Sequence, residues 1–161
     1  KPQITAWRTG RVKAVGSKTA PELYAAHLSQ REAAQILSNF FYDVRLKSRI
    51  ELRAADSMPP HYIAAYAQLV KSVFGSPAAL QNVLRHYAGI TTLDITTAKL
   101  AVCKDGFNAL AYGKPISSEL TWLLMQARSR TPSQEERALL DPFMALVMKR
   151  KTIRETENYN E

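Results

Sequence analysis

Four side chains in this sequence could ligate a soft metal: Cys103, His27, His61 and His86. None falls in a CxxC, HxxxH or HExxH pattern, the spacings that aim two ligands at one ion, so no metal centre is expected. The GxSxG, GxxxxGKS/T and GxGxxG patterns are also missing, and with them the common nucleophile and phosphate-cradle devices. Asp43, Asp56, Asp94, Asp105 and Asp141 read as caps, turn residues or solvated faces, not as an acid–base pair. The expectation is a protein that is not an enzyme and holds no cofactor.

What remains is charge. Lys and Arg number 22 against 14 Asp and Glu, a net +8, which favours a polyanionic partner, either nucleic acid or an anionic membrane surface. Lys1, Arg8, Arg11, Lys13 and Lys18 put five positive charges in the first 18 residues with no acid among them. Arg128 and Arg130 stand in a short connection ahead of Thr131-Pro132, where a guanidinium can grip phosphate in bidentate fashion. Arg85 adds a third candidate. Tyr62, Tyr66, Tyr87, Phe107, Tyr112 and Trp122 could stack on bases, but most fall at inward helical positions, where core packing is the plainer role. Apolar runs such as Leu123-Leu124-Met125 are far short of the roughly 18 residues a bilayer requires. No secretory leader pattern is visible. A single cysteine excludes an internal disulfide, and Leu100, Ala101 and Val102 beside it suggest a buried thiol.

The elements that must carry these residues read as helices. Residues 1–18 lack helical periodicity and read as an extended arm. Pro21 can open a short helix through His27. Ser29-Gln-Arg-Glu32 forms a capping box, followed by Ala33, Ile36, Leu37, Phe40 and Val44 at helical steps in a helix continuing towards Leu52, with Arg45, Lys47, Arg49 and Arg53 outward. Asp56-Ser-Met-Pro-Pro60 breaks the chain. A helix over 62–74 buries Ile63, Tyr66, Leu69, Val70 and Val73 and stops at Gly75. Ser76 caps the next, with Pro77 at its first position, burying Leu80, Val83, Leu84 and Tyr87. Residues 91–103 fit either a strand, from the alternation Leu93-Asp-Ile95, or a capped helix from Thr92 to Cys103; helix is expected. Ser117 or Ser118 caps the Trp122 helix. Thr131-Pro-Ser-Gln134 reads as another capping box, and Pro142 should kink the last helix, which buries Leu139, Leu140, Phe143, Val147 and Met148. The fold class expected is all-α: a compact helical core over 19–148, a basic N-terminal arm over 1–18 and a polar C-terminal tail over 149–161.

Leu28 to Leu37 looks like the first helix of a helix-turn-helix reader, but Ser-Asn-Phe-Phe-Tyr after it continues the apolar face instead of turning. A wider pattern is more informative. Ser76-Pro77 through His86-Tyr87, then Trp122-Leu123-Leu124, then Thr131-Pro132, resemble the core of coat proteins from flexuous filamentous plant viruses of the potyvirus and potexvirus kind. In potyvirus coat proteins a Ser-Pro-started helix contains an arginine and ends in His-Phe, and a Phe-Asp-Phe helix leads to Thr-Pro. Gln134-Glu-Glu-Arg137 and Ala98-Lys99-Leu100 are similar to potexvirus segments. The likeness covers roughly residues 56–148. Gln81 stands where the family has its arginine and Leu123 where it has the aspartate, a pair that lies near the RNA in the family.

The resemblance implies a structural subunit that polymerises into a helical filament through its arm and tail. It also implies packaging of single-stranded RNA by sequence-independent phosphate contacts, without a membrane partner, in the virion and host cytoplasm. The candidate RNA-binding residues are Gln81 and Lys104, from the family's positions, and Arg85, Arg128 and Arg130, from the charge argument. A different class fits the same composition: a small basic helical DNA- or RNA-binding regulator acting as a discrete dimer.

Overall fold

The computed structural model describes residues 5–6, 13–14, 19, 22, 29–38, 43–46 and 48–157. The fold is mostly helical, as expected, with a few short strands. The chain divides into two compact units, Lys1–Asp56 and Ser57–Glu161. The Asp56-to-Pro60 break is therefore a boundary between units, not an interruption inside a core running from 19 to 148.

In the first unit, β1 (Thr5–Ala6) pairs antiparallel with β2 (Lys13–Ala14), Thr5 opposite Ala14. The described part of the arm is thus a narrow ribbon; Lys1, Arg8, Arg11 and Lys18 lie outside the described residues. So does the short helix expected to start at Pro21, apart from Glu22. Helix α1 (Gln30–Ser38) opens with the expected capping box. The Ser29 backbone N–H donates to Glu32 Oε2 at 3.0 Å, and the Glu32 N–H returns a bond to Ser29 Oγ at 3.2 Å.

The helix does not continue towards Leu52. Strands β3 (Val44–Leu46) and β4 (Ile50–Leu52) form an antiparallel hairpin with Arg45 directly opposite Glu51. Val-Arg-Leu and Ile-Glu-Leu alternate apolar and charged residues at period two. The Arg45 guanidinium closes on Glu51 Oε2 at 2.8 and 2.6 Å, a cross-strand pair that favours the extended form. A hairpin, not a recognition helix, therefore follows α1, and the helix-turn-helix reading fails there.

The second unit is helical. Its elements are α2 (Pro60–Phe74), α3 (Pro77–His86), α4 (Thr92–Asp105) and a 3-10 turn over Gly106–Asn108. The hairpin β5 (Leu110–Ala111) and β6 (Lys114–Pro115) follows, then α5 (Ile116–Ser129), α6 (Gln134–Ala138), α7 (Asp141–Lys149) and α8 (Ile153–Thr156). Helix α5 packs against α2 and α7. Val73, Leu124, Ala127 and Leu140 are buried together, with Leu69, Val83, Phe143 and Val147 packed around them. Truncating a fully buried leucine such as Leu140 costs about 2–5 kcal/mol.

Several local expectations hold. Ser76 Oγ accepts the Ala79 N–H at 3.2 Å, and Thr91 and Asp94 make a reciprocal capping box that settles 92–105 as helix. Others do not. Helix α5 begins directly after Pro115 with no side-chain cap, so neither Ser117 nor Ser118 serves. Pro142 occupies the first turn of a separate helix, where its missing N–H leaves no bond unmade, and kinks nothing. Ile63, Leu80, Leu84, Leu139 and Met148 are exposed, as is Cys103. Residues 149–157 of the expected tail dock on this unit. Tyr62 Oη lies 3.5 Å from Thr156 Oγ1, and His61 Nε2 lies 3.5 Å from Glu157 Oε1.

Candidate nucleic-acid interface

Asn82, midway along α3, donates from Nδ2 to Gln126 Oε1 near the end of α5 at 2.6 Å. His86 at the end of α3 meets Glu119 and Trp122 earlier in α5, so the two helices run antiparallel. This pairing sets the start of α3 beside the end of α5. The result is a polar groove of about 410 Å³, lined by Lys71, Ser76, Arg130, Thr131, Pro132 and Glu136 among others. Gly75 makes the sharp passage from α2 to α3 possible, because a Cβ there would collide with the Lys71 carbonyl oxygen.

The floor of the groove is a buried hydroxyl–amide network. Gln68 Nε2 donates to Ser72 Oγ at 3.0 Å and to Thr131 Oγ1 at 3.2 Å. Ser72 and Thr131 hydroxyls meet at 2.9 Å, and Thr131 Oγ1 donates to the Ala127 carbonyl at 2.8 Å. Thr131 therefore plugs the core and does not cap α6; Ser133 does, accepting the Glu136 N–H. A second guanidinium stiffens the rim, since Arg137 Nε and Nη2 donate to the Thr131 and Pro132 carbonyls at 2.6 and 2.7 Å.

The five residues expected to meet RNA separate here. Arg130 lines the groove, exposed, and its side chain has no partner among the described residues. Arg128 is engaged by Asp141 and reaches the Arg137 carbonyl, so it is a strut across the connection. Arg85 lies along its own helix, donating to the Gln81 carbonyl at 3.4 Å. Gln81 and Lys104 are exposed on α3 and α4 and do not line the groove. The cation not foreseen is Lys71, which joins Glu136 at 2.7 Å. Its helical position facing away from Leu69 and Val73 could have suggested it; the groove it lines could not be read from spacing.

The other end of the α3–α5 pair holds a cluster of aromatic and titratable groups. The His86 ring lies flat on Trp122, centroids 3.5 Å apart at 10°, and edge-on to Tyr87. His86 Nε2 sits 2.9 Å from Glu119 Oε2, and Lys114 Nζ lies 3.3 Å from Glu119 Oε1. Burial pushes the Glu119 carboxyl up, but the bonds from His86 and Lys114 outweigh it and hold the group below its ordinary value. Burial, then the Glu119 charge and hydrogen bond, push the Tyr87 hydroxyl up to about 12. Tyr112, held at φ 56° in the turn before Gly113 at φ 77°, sets its ring edge-on to Tyr87. The tyrosines and the tryptophan here pack edge to face on one another, an arrangement aromatic packing favours.

Among the described residues no three of His, Cys, Asp and Glu converge as a metal site, and no helix is long and apolar enough to cross a membrane. No family model, curated protein or solved structure matches this chain.

Proposed function

We propose that this chain is a structural, non-enzymatic coat subunit that polymerises along single-stranded RNA and grips its phosphates without reading sequence, in the virion and, before assembly, the host cytoplasm. The observation that carries the reading is convergence: Ser76, which opens one motif of the resemblance, and Thr131-Pro132, which form another, line the same groove although 55 residues separate Ser76 from Thr131. Arg130, whose side chain has no partner among the described residues, lines that groove together with Lys71, whose ammonium also holds Glu136. A guanidinium and an ammonium over a polar floor suit a phosphate chain, because displaced counterions drive such binding for any sequence. The net charge of +8 points the same way. Exposed Leu80, Leu84, Leu93 and Leu100 suit a chain that buries further surface against its own copies.

The test is assembly with RNA. Purified protein mixed with polyuridylate should form rods visible by negative-stain electron microscopy, and Arg130→Glu combined with Lys71→Glu should abolish them. A species fixed at dimer size across concentration and salt, with or without RNA, would favour the dimeric regulator instead.

A further inference from the structure

The apolar centre of the second unit is not fully closed. A cleft of about 340 Å³ opens between α2, α5 and α7, walled by Leu69, Leu123, Phe143 and Val147 and roofed by Phe107. Its walls are almost wholly apolar, and among the described residues Lys151, at an exposed position, is the one charged residue that lines it. The turn that carries Lys151 is held by several bonds. Arg150 takes a left-handed backbone (φ 52°, ψ 44°) to turn the chain back after α7, a conformation that persists in a non-glycine residue only where its surroundings hold it. Here its guanidinium donates to the Phe107 carbonyl at 2.7 Å and to Asn108 Oδ1 at 3.1 Å, while the Lys151 N–H returns to the Leu146 carbonyl at 3.0 Å.

We infer that this cleft binds one linear amphiphile with a carboxylate head, its hydrocarbon chain among the leucine and phenylalanine side chains and its head on the Lys151 ammonium. Water against such walls finds almost nothing on them to bond, so methylene groups that replace it gain apolar transfer free energy in proportion to the area they cover. A nucleobase is a poor fit, because the walls offer its polar edge no partner. An uncharged hydrocarbon would leave the lysine at the mouth unused. Glu155 tempers the lysine's charge without occupying it: that carboxylate already accepts the Thr152 N–H and hydroxyl at 2.7 Å each. The inference stands apart from the RNA reading, since the cleft shares no residue with the polar groove.

The probe is decanoate, with decanol as the neutral comparison. Calorimetric titration of the full chain should give saturable one-to-one binding of both. Methyl NMR shifts should move at Leu69, Leu123 and Val147 and stay still at the exposed Leu80. Lys151→Ala should weaken decanoate about five-fold, the scale of a solvent-exposed ion pair, and leave decanol unchanged. Val147→Trp should fill the cleft and remove both ligands. Absence of saturable binding by the unaltered chain, or shifts spread evenly over all methyls, overturns the site. Equal loss of decanoate and decanol in Lys151→Ala overturns the carboxylate assignment, and the exposed position of Lys151 keeps that variant folded.

Discussion

His86 lies flat against Trp122 while its Nε2 reaches the buried Glu119 carboxylate at 2.9 Å. One imidazole thus joins α3 to α5 twice, by stacking and by a charge-assisted bond. Glu119→Gln keeps the shape but removes the charge that Lys114 and His86 share, and should cost about 1–3 kcal/mol in urea unfolding. His86→Ala should in addition alter Trp122 fluorescence in the folded state. A Glu119→Gln midpoint equal to that of the unaltered chain would show that the cluster is ornamental to stability.

The same cluster sets a pH dependence. Glu119 has a folded value below its ordinary 4.5, so the stability it contributes is present above that pH and is lost as pH falls through the folded value. Tyr87 has the opposite sense. Its hydroxyl is raised from 10.0 to about 12, so its contribution is complete below pH 10 and disappears as pH climbs towards 12. Unfolding free energies measured against pH should show a shallower acid-side slope in Glu119→Gln, where Asp94 and Glu155 still contribute, and a shallower alkaline slope in Tyr87→Phe, each relative to the unaltered chain.

Thr131→Val is expected to be costly although it is isosteric. The hydroxyl is buried and serves Gln68, Ser72 and the Ala127 carbonyl; removing it leaves buried polar atoms unpaired, at about 1–3 kcal/mol. Thermal unfolding of Thr131→Val beside Thr131→Ser, which keeps the hydroxyl, separates the network from the methyl group. A larger loss in the serine variant would refute the network's role.

RNA affinity should discriminate among the four cationic candidates named from the sequence. Arg130→Ala should weaken polyuridylate binding and reduce its salt slope by about one. Arg85→Ala and Lys104→Ala, whose side chains lie off the groove, should change both less. Arg128→Ala should lower stability through loss of the Asp141 pair more than it lowers affinity. Equal effects of Arg130→Ala and Lys104→Ala on the salt slope would count against the groove.

What can be read in the sequence is what neighbours along the chain decide. Ser29 with Glu32 and Ser76 with Pro77 are local devices spanning a few residues, and each starts its helix as expected; the helix expected from Thr92 starts on an equally local pair, Thr91 with Asp94. The hairpin at 44–52 escapes such a reading because Val44 continues the helical spacing of Ile36 and Phe40, while the Arg45–Glu51 pairing that favours strands appears only once the chain turns. Thr131 misleads for a related reason. Thr-Pro-Ser-Gln offers two caps, and the choice falls to Gln68 and Ser72, 63 and 59 residues away. Arg128 and Arg130 look alike in the sequence, and only the position of Asp141 tells which is engaged. The Glu119 cluster is invisible to local spacing because His86 and Glu119 lie 33 residues apart.

The antiparallel run of α3 and α5 leaves the buried Glu119 cluster at one extremity and the groove of Arg130, Lys71 and Glu136 at the other, with the neutral Asn82–Gln126 amide bond between. Acidification and ionic strength are therefore separate handles on these two helices: protonating Glu119 loosens the aromatic end, while salt screens the charges exposed at the other.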